Sequence, residues 1–317
     1  MTNISLPPGF RDLLFDQAKQ VRSTENRLAE VFEAEGYREI APSTIEYFDL
    51  YTRGKQLVSK DVYRFLDRDD NLLALRADFT PAIARIVSSR LGTIDPPIKV
   101  WYAGNVFRKV DPQRGPYREV RQVGAELIGE NSVACDAGII NTAVACLRAV
   151  GLDEIVIHIN HAGIFRGVID SLKLGPDALR NVQYEIDRKD MRALEARLSE
   201  LGLDEEVQAQ LHGLARFVGG VEILDEAAGF VTNARARAAI AHLQQVAGLL
   251  SVNPVNVDLT ESDDMEYYTG TMFKIVAPKL RQELGGGGRY DALLGEFGPA
   301  MPAVGFSLSM DNLLGGS

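Results

Sequence analysis

Residues 106–129 constrain the chain most: two extended runs are joined by a loop that contains Pro112 and Gly115. A run–turn–run pattern of this kind is the signal of a hairpin. It puts Arg108 at the end of one strand and Gln122, Gly124 and Glu126 on the other. Whatever the chain does, a cation, an amide and a carboxylate are expected close together on one pair of strands.

Around the hairpin the pattern alternates between helix and strand without strict β-α-β order. Residues 17–35 carry Val21, Leu28, Val31 and Phe32 at helical spacing, with Gly36 as the C-terminal cap. Residues 38–47 read as extended. Leu72 to Arg76 reads as a strand ending at Thr80 and Pro81, a cap residue followed by proline at the first helical position. A strand over 98–103 feeds the hairpin, a helix follows over 133–150, and residues 154–160 alternate as a strand should. From about 170 to 250 the sequence turns into charged, Leu/Ala-rich helical stretches, which we read as an inserted helical module. Strands resume over 255–259, 267–276 and 303–308. The expected fold class is α+β, helices around a mainly antiparallel sheet.

Bulk properties exclude several classes. A length of 317 residues with 46% apolar composition fills a substantial core in one large domain with an insertion, or in two domains. No apolar run approaches the roughly 20 residues that span a bilayer, and the N-terminus lacks a signal-peptide pattern, so the expected compartment is the cytoplasm and no membrane partner is expected. A net charge of -10 argues against a protein built to grip a polyanion. Cys135 and Cys146 lie 11 residues apart on one expected helix, about 16 Å, too far to bridge, so both are expected as buried thiols. His158 and His161 have no carboxylate or Cys at ligand spacing, so packed imidazoles and no metal are expected.

The order Pro112, Gln113, Gly115, Tyr117, Arg118, Gln122, Gly124, Glu126 resembles the second signature motif of class II aminoacyl-tRNA synthetases in its histidyl-tRNA synthetase spelling. Four further blocks continue the resemblance in order. They run over residues 6–12, over 75–80 with Asp78 and Thr80, over 266–268 with Tyr267 and Tyr268, and over 287–291 and 302–306. A free amino acid needs an acceptor for its ammonium and a cation for its carboxylate, and an imidazole needs a partner for each ring nitrogen. The resemblance implies that Asp78, a Glu in the synthetases, holds the α-amino end with Thr80 and Gln122. It places Glu126 and Tyr268 against the ring and Arg108 at the carboxylate, with Tyr267 in the same pocket and Arg289 and Tyr290 at its rim. The Gly285 to Gly288 run permits close backbone approach to a ligand and equally suits a loop between strands.

Three positions depart from the synthetase pattern, each in the ATP site. Val110 stands for the second-motif carboxylate, Asn312 for the ATP-binding arginine of the third motif, and Asp263 for a catalytic cation. Each lost donor costs about a hundredfold or more in rate, so activation of an amino acid is not expected. The synthetase would also continue past residue 317 into an anticodon-binding domain; without it no tRNA partner is expected.

A histidine pocket with disabled ATP chemistry, together with the Tyr267 to Gly270 spelling, is similar to the regulatory-subunit family of ATP phosphoribosyltransferase. That resemblance implies no cofactor and a noncatalytic chain that binds L-histidine. It also implies a homodimer assembled with the short-form catalytic subunit into a hetero-octamer, in the first step of histidine biosynthesis. The core is expected over 1–169 and 251–317, with 170–250 inserted. The alternative is a diverged amino-acid-activating ligase of the same superfamily, distinguished by ATP-dependent pyrophosphate exchange; histidine titration separates the sensor from a scaffold with a vestigial pocket.

Overall fold

The computed structural model describes residues 5–53, 61–109, 117–169, 174–203, 205–214, 216–260 and 267–315. Helix α1 (Phe15–Ala34) buries Thr24, Leu28 and Phe32, one face at four-residue spacing. Gly36, at φ +82°, takes the left-handed place just beyond its end, where a side chain would be strained. Strands β1 (Arg38–Glu39) and β2 (Ile45–Tyr47) follow, then a 3₁₀ turn over Phe48–Tyr51. Strands β3 (Arg64–Leu66) and β4 (Leu72–Leu75) are joined by a turn in which the Asp67 carboxylate accepts from the Asp69 and Asn71 amides. Helix α2 (Thr80–Ile86) opens with Pro81 and continues as a wider π turn over Val87–Leu91.

The hairpin is β5 (Ile98–Phe107) and β6 (Glu119–Ile128), paired from Ile98↔Ile128 to Phe107↔Glu119. Ser132 caps α3 (Val133–Ala149) by accepting from the Cys135 amide, and Cys135 and Cys146 are buried, free thiols on that helix. Next come β7 (Val156–His161) and α4 (Ala162–Ile169). Helices α5 (Pro176–Asp187), α6 (Met191–Glu200) and α7 (Glu205–Leu214) lead to a strand, β8 (Val218–Gly220). Helices α8 (Ile223–Phe230) and α9 (Ala234–Gly248) precede β9 (Val255–Asp258). The chain finishes with β10 (Thr271–Ala277), β11 (Gln282–Arg289), β12 (Ala303–Ser309) and α10 (Met310–Leu313).

Nine strands form one sheet in the order β1-β5-β6-β12-β11-β10-β7-β9-β8, and β2-β4-β3 form a second. Among the described residues, only β1–β5 and β7–β9 pair in parallel. The expected mainly antiparallel α+β sheet is what forms. The stretch from about 170 to 250, expected as an inserted helical module, also contains β8, which pairs with β9 and adds a strand to the main sheet. Leu194, Leu198 and Leu243 from this stretch are buried in the same core as Ile157 and Phe273 of the sheet. Burying each such side chain contributes roughly 1.5–3 kcal/mol, so this stretch is packed into the main core. No helix among the described residues is long and apolar enough to cross a membrane.

Period-two alternation on β6 sorts the two faces of the sheet. Val123, Ala125 and Leu127 enter the large core with α1 and α3, whereas Ile128 joins Phe79, Ile83 and Tyr102 on the other side. Gln122, Gly124 and Glu126 therefore share the face turned away from α3.

The glycine run is not a loop. Gly285 to Gly288 form the middle of β11, between β10 and β12. Glycine inside a strand costs roughly 0.5–1 kcal/mol relative to alanine, and the neighbours explain its presence. A Cβ at 286 would meet the Phe273 carbonyl, at 287 the Gly305 carbonyl, and at 288 the Tyr268 ring and the Thr271 carbonyl. The bare backbone forms a floor on which other side chains lie.

Candidate functional site

The floor carries two connected recesses. The inner one, about 60 Å³, is lined by Thr80, Tyr102, Glu126, Tyr267, Tyr268 and Tyr290 over Gly286, Gly287 and Gly305. The outer cleft, about 360 Å³, holds Arg108, Gln122, Lys274, Glu283, Ser309 and Asn312. Asp78 and Tyr268 line both, so they stand at the junction.

Glu126 is 1% exposed, at the bottom of the inner recess. Its Oε1 accepts from the Thr80 hydroxyl at 3.0 Å and its Oε2 from the Tyr290 hydroxyl at 2.5 Å. Burial pushes its carboxyl up to about 8, against the opposing effect of those two hydroxyls, and Asp78 raises it further. Burial thus favours the neutral form of this acid at pH 7. Burial also raises the phenols of Tyr102, Tyr267 and Tyr290, which keeps them protonated. Tyr267 stacks on Tyr290 at 5.4 Å and meets Tyr268 edge-on at 4.9 Å.

Asp78 and Arg108 form an ion pair, Nη2 to Oδ2 at 3.2 Å. Each is also tied to backbone: Asp78 Oδ1 accepts from the Thr80 amide at 2.9 Å, and Arg108 Nε donates to the Ala77 carbonyl at 2.7 Å. Phe79 holds the cap position of α2 without a side-chain bond, and the Asp78 carboxylate takes up the first helical amide from one residue further out. Thr80, expected as the cap, is instead the first helical residue, and its hydroxyl is directed to Glu126.

Of the sequence-derived set, Asp78, Thr80, Arg108, Gln122, Glu126, Tyr267 and Tyr268 gather at these recesses. Tyr290, expected at the rim, lies inside, buried against Glu126. Arg289 lines neither recess. It is 3% exposed and donates to Asp136 of α3 from Nε and Nη2 at 2.8 and 2.5 Å, and from Nη1 to Asp291 at 3.1 Å. Asp136 also accepts from Thr271 and pairs with His242 of α9. Its own burial would raise the Asp136 carboxyl, yet His242, Arg289 and Thr271 together hold it below the ordinary carboxylate range.

The two expected packed histidines differ in detail. The His161 Nδ1 accepts from the Gly163 amide, and burial, then the neighbouring His242, push it down to about 4. His158 sits in β7 opposite Lys274. Among the described residues no cluster of His, Cys, Asp or Glu has metal-site geometry.

Asn312 lines the outer cleft, with Nδ2 donating to the Glu283 carbonyl at 2.7 Å. Val110 and Asp263, the other two departures, lie outside the described residues. Sequence reasoning missed Tyr102 and Gly305. The hairpin register was the available signal for Tyr102, because it sits opposite Gly124, the residue that leaves room for its ring.

A family model described as histidyl-tRNA synthetase matches residues 9–313. A solved structure, "ATP phosphoribosyltransferase regulatory subunit/histidyl-tRNA synthetase" from Bacillus halodurans, superposes at a TM-score of 0.91 with 28% identity, covering 99% of this chain and 83% of the other. The sheet, its glycine floor and the tyrosine-lined recess thus define a class II, histidyl-tRNA synthetase-like protein. Two relatives narrow the class, both bearing the name ATP phosphoribosyltransferase regulatory subunit. That of Moorella thermoacetica is 36% identical over 98% of this chain and 81% of its own length, and that of Syntrophotalea carbinolica 38% identical over 98% and 74%. The chain belongs to the ATP phosphoribosyltransferase regulatory subunit family.

Proposed function

We propose that this chain is a noncatalytic regulatory subunit of ATP phosphoribosyltransferase, which binds L-histidine in the recess around Glu126 and passes that occupancy to a separate catalytic subunit. The observation that carries the reading is the asymmetry of the two recesses. The inner one offers a buried acid, hydroxyls and tyrosine faces on the scale of an imidazole, with an acid and a guanidinium at its mouth. The outer one has Asn312, a neutral amide tied to backbone, where the related synthetases have an ATP-binding arginine. Phosphoryl chemistry needs fixed cations placed in advance.

The partner in this reading is the short-form catalytic subunit, with this chain as a homodimer inside a hetero-octamer and without tRNA. Residues 1–169 and 251–317 are taken as the synthetase-like core and 170–250 as its insertion. Histidine shifts the assembly through its differential affinity for active and inhibited states. The test combines this chain with the short catalytic subunit from the same source. A larger species by size-exclusion chromatography with light scattering, and a steady-state rate that falls or rises with histidine, are expected. Absence of any complex at micromolar concentration refutes the partner, and a complex indifferent to histidine refutes the sensor.

A further inference from the structure

The Arg108–Asp78 pair stands where the ammonium and carboxylate of an amino acid would have to go. Asp78 lies at the junction of the recesses and Arg108 on the outer side only. A ligand with its ring beside Glu126 brings its α-carbon to that junction. Each partner is held from behind by backbone, Asp78 through Oδ1 on the Thr80 amide and Arg108 through Nε on the Ala77 carbonyl. The forward-facing atoms, Oδ2 and Nη2, bind each other at 3.2 Å. Parting them costs neither anchor.

We propose that the ligand enters by charge exchange: its ammonium replaces Arg108 at Asp78 Oδ2, and its carboxylate replaces Asp78 at Arg108 Nη2. This rests on reading the recess as an amino-acid site, and it goes further by making the ion pair the device that selects a zwitterion. A zwitterion supplies one new partner to each freed charge. A ligand with an ammonium alone strands the guanidinium, and one with a carboxylate alone strands Asp78. The stranded group has lost a charge-assisted hydrogen bond in a partly desolvated cleft. Glu126 does not discriminate in this way, because its two oxygens bind neutral hydroxyls, those of Thr80 and Tyr290, and in this reading it faces the ring. Lys274 and Glu283 line the outer cleft as well; one of each sign leaves no net preference for either half-charged ligand.

Exchange makes a prediction that simple contact does not. In the empty protein each partner competes with the ligand for the other, so removing one must improve binding of the ligand that needs only the other. Calorimetric titration of the full chain would use L-histidine, histidinol (ammonium only) and imidazolepropionate (carboxylate only), against wild type, Arg108→Gln and Asp78→Asn. Wild type is expected to bind L-histidine about tenfold or more tighter than either analogue. Arg108→Gln should weaken L-histidine by a similar factor yet strengthen histidinol severalfold, and Asp78→Asn should weaken L-histidine yet strengthen imidazolepropionate. Variants that weaken histidine and leave the analogues at or below wild-type affinity overturn exchange while the pocket stands. A wild-type chain with no affinity for L-histidine overturns the pocket and the exchange together. Circular dichroism checks folding; should one variant misfold, the crossover in the other decides alone.

Discussion

Glu126 and Gly305 face each other across the β6–β12 pair, and the Glu126 carboxylate occupies the place a Cβ at 305 would take. The acid therefore lies flat on the sheet, 1% exposed and held by the Thr80 and Tyr290 hydroxyls. Its pose depends on a side chain that is missing from the neighbouring strand.

Substituting Gly305→Ala is expected to expel the carboxylate from that place. Overpacking of this kind costs typically about 1–3 kcal/mol, so the melting temperature should fall. The rise in melting temperature expected of the wild type with histidine should vanish with it. A variant that keeps the full histidine response shows that the pose of Glu126 is immaterial.

Glu126 sets a pH dependence with a definite sign. Its folded-state carboxyl titrates at about 8, above the ordinary 4.5. Between those values the folded state holds a proton that the unfolded state has lost, so this group withdraws stability as pH rises, by at most about 1.4 kcal/mol per pH unit, and the loss levels off above pH 8. Glu126→Gln has no such titration. Its melting temperature relative to wild type should climb from pH 5 to pH 9; a constant difference across that range refutes the raised carboxyl.

Ligand binding should release protons. A ring N–H or other donor placed against Glu126 favours its ionised form, whereas burial favours the neutral form at pH 7. Titrations of L-histidine in buffers of different ionisation enthalpy should give different apparent heats, and Glu126→Gln should remove the difference. Equal heats for the wild type exclude the linkage.

The Asp136–Arg289 pair is a structural feature apart from the recesses. Asp136→Asn leaves the buried Arg289 guanidinium with the part-exposed Asp291 as its remaining counter-charge, and breaking a buried pair costs about 3–5 kcal/mol. Denaturant midpoints should show that loss, and Asp136→Leu combined with Arg289→Met should be milder than the sum of the single changes. Strict additivity would mean that the two side chains do not depend on each other.

Amino-acid-dependent pyrophosphate exchange should be absent, and Asn312→Arg alone should not create it, because a single restored cation leaves the other ATP-handling positions changed. Exchange near ordinary enzyme turnover, roughly 1 to 10³ s⁻¹, would falsify the regulatory reading in favour of a ligase.

Local chemistry made most of the framework legible. Leu28 and Phe32 announce α1 and Gly36 its end, and the two extended runs of the hairpin are β5 and β6, while Pro112 and Gly115 lie outside the described residues. The pocket was legible because Asp78, Thr80, Gln122, Glu126 and the two tyrosines recur in an order that resembles a known family. What escaped was decided across strands. Four glycines show no period-two alternation, so the run suited a ligand-facing backbone or a loop equally and β11 was not expected, and the atoms that demand glycine belong to Phe273, Gly305 and Thr271 on neighbouring strands. Arg289 looked like part of the rim because Tyr290 follows it, but successive strand residues point to opposite faces, and its partner Asp136 lies 153 residues earlier. Strand β10 was expected from Tyr267 and begins at Thr271, because the tyrosines preceding it fold over the recess. Short β8 has only three residues, of which Gly219 and Gly220 carry no apolar pattern.

The main sheet ends on β1, of two residues, and on β8, of three. A long bare margin would present a ladder of unpaired amides and carbonyls on which a second molecule could grow as cross-strand addition. Margins this brief give an incoming strand too few rungs to hold. Short margins of this kind blunt a sheet's edges against open-ended strand addition, and on β1 both residues, Arg38 and Glu39, are charged as well.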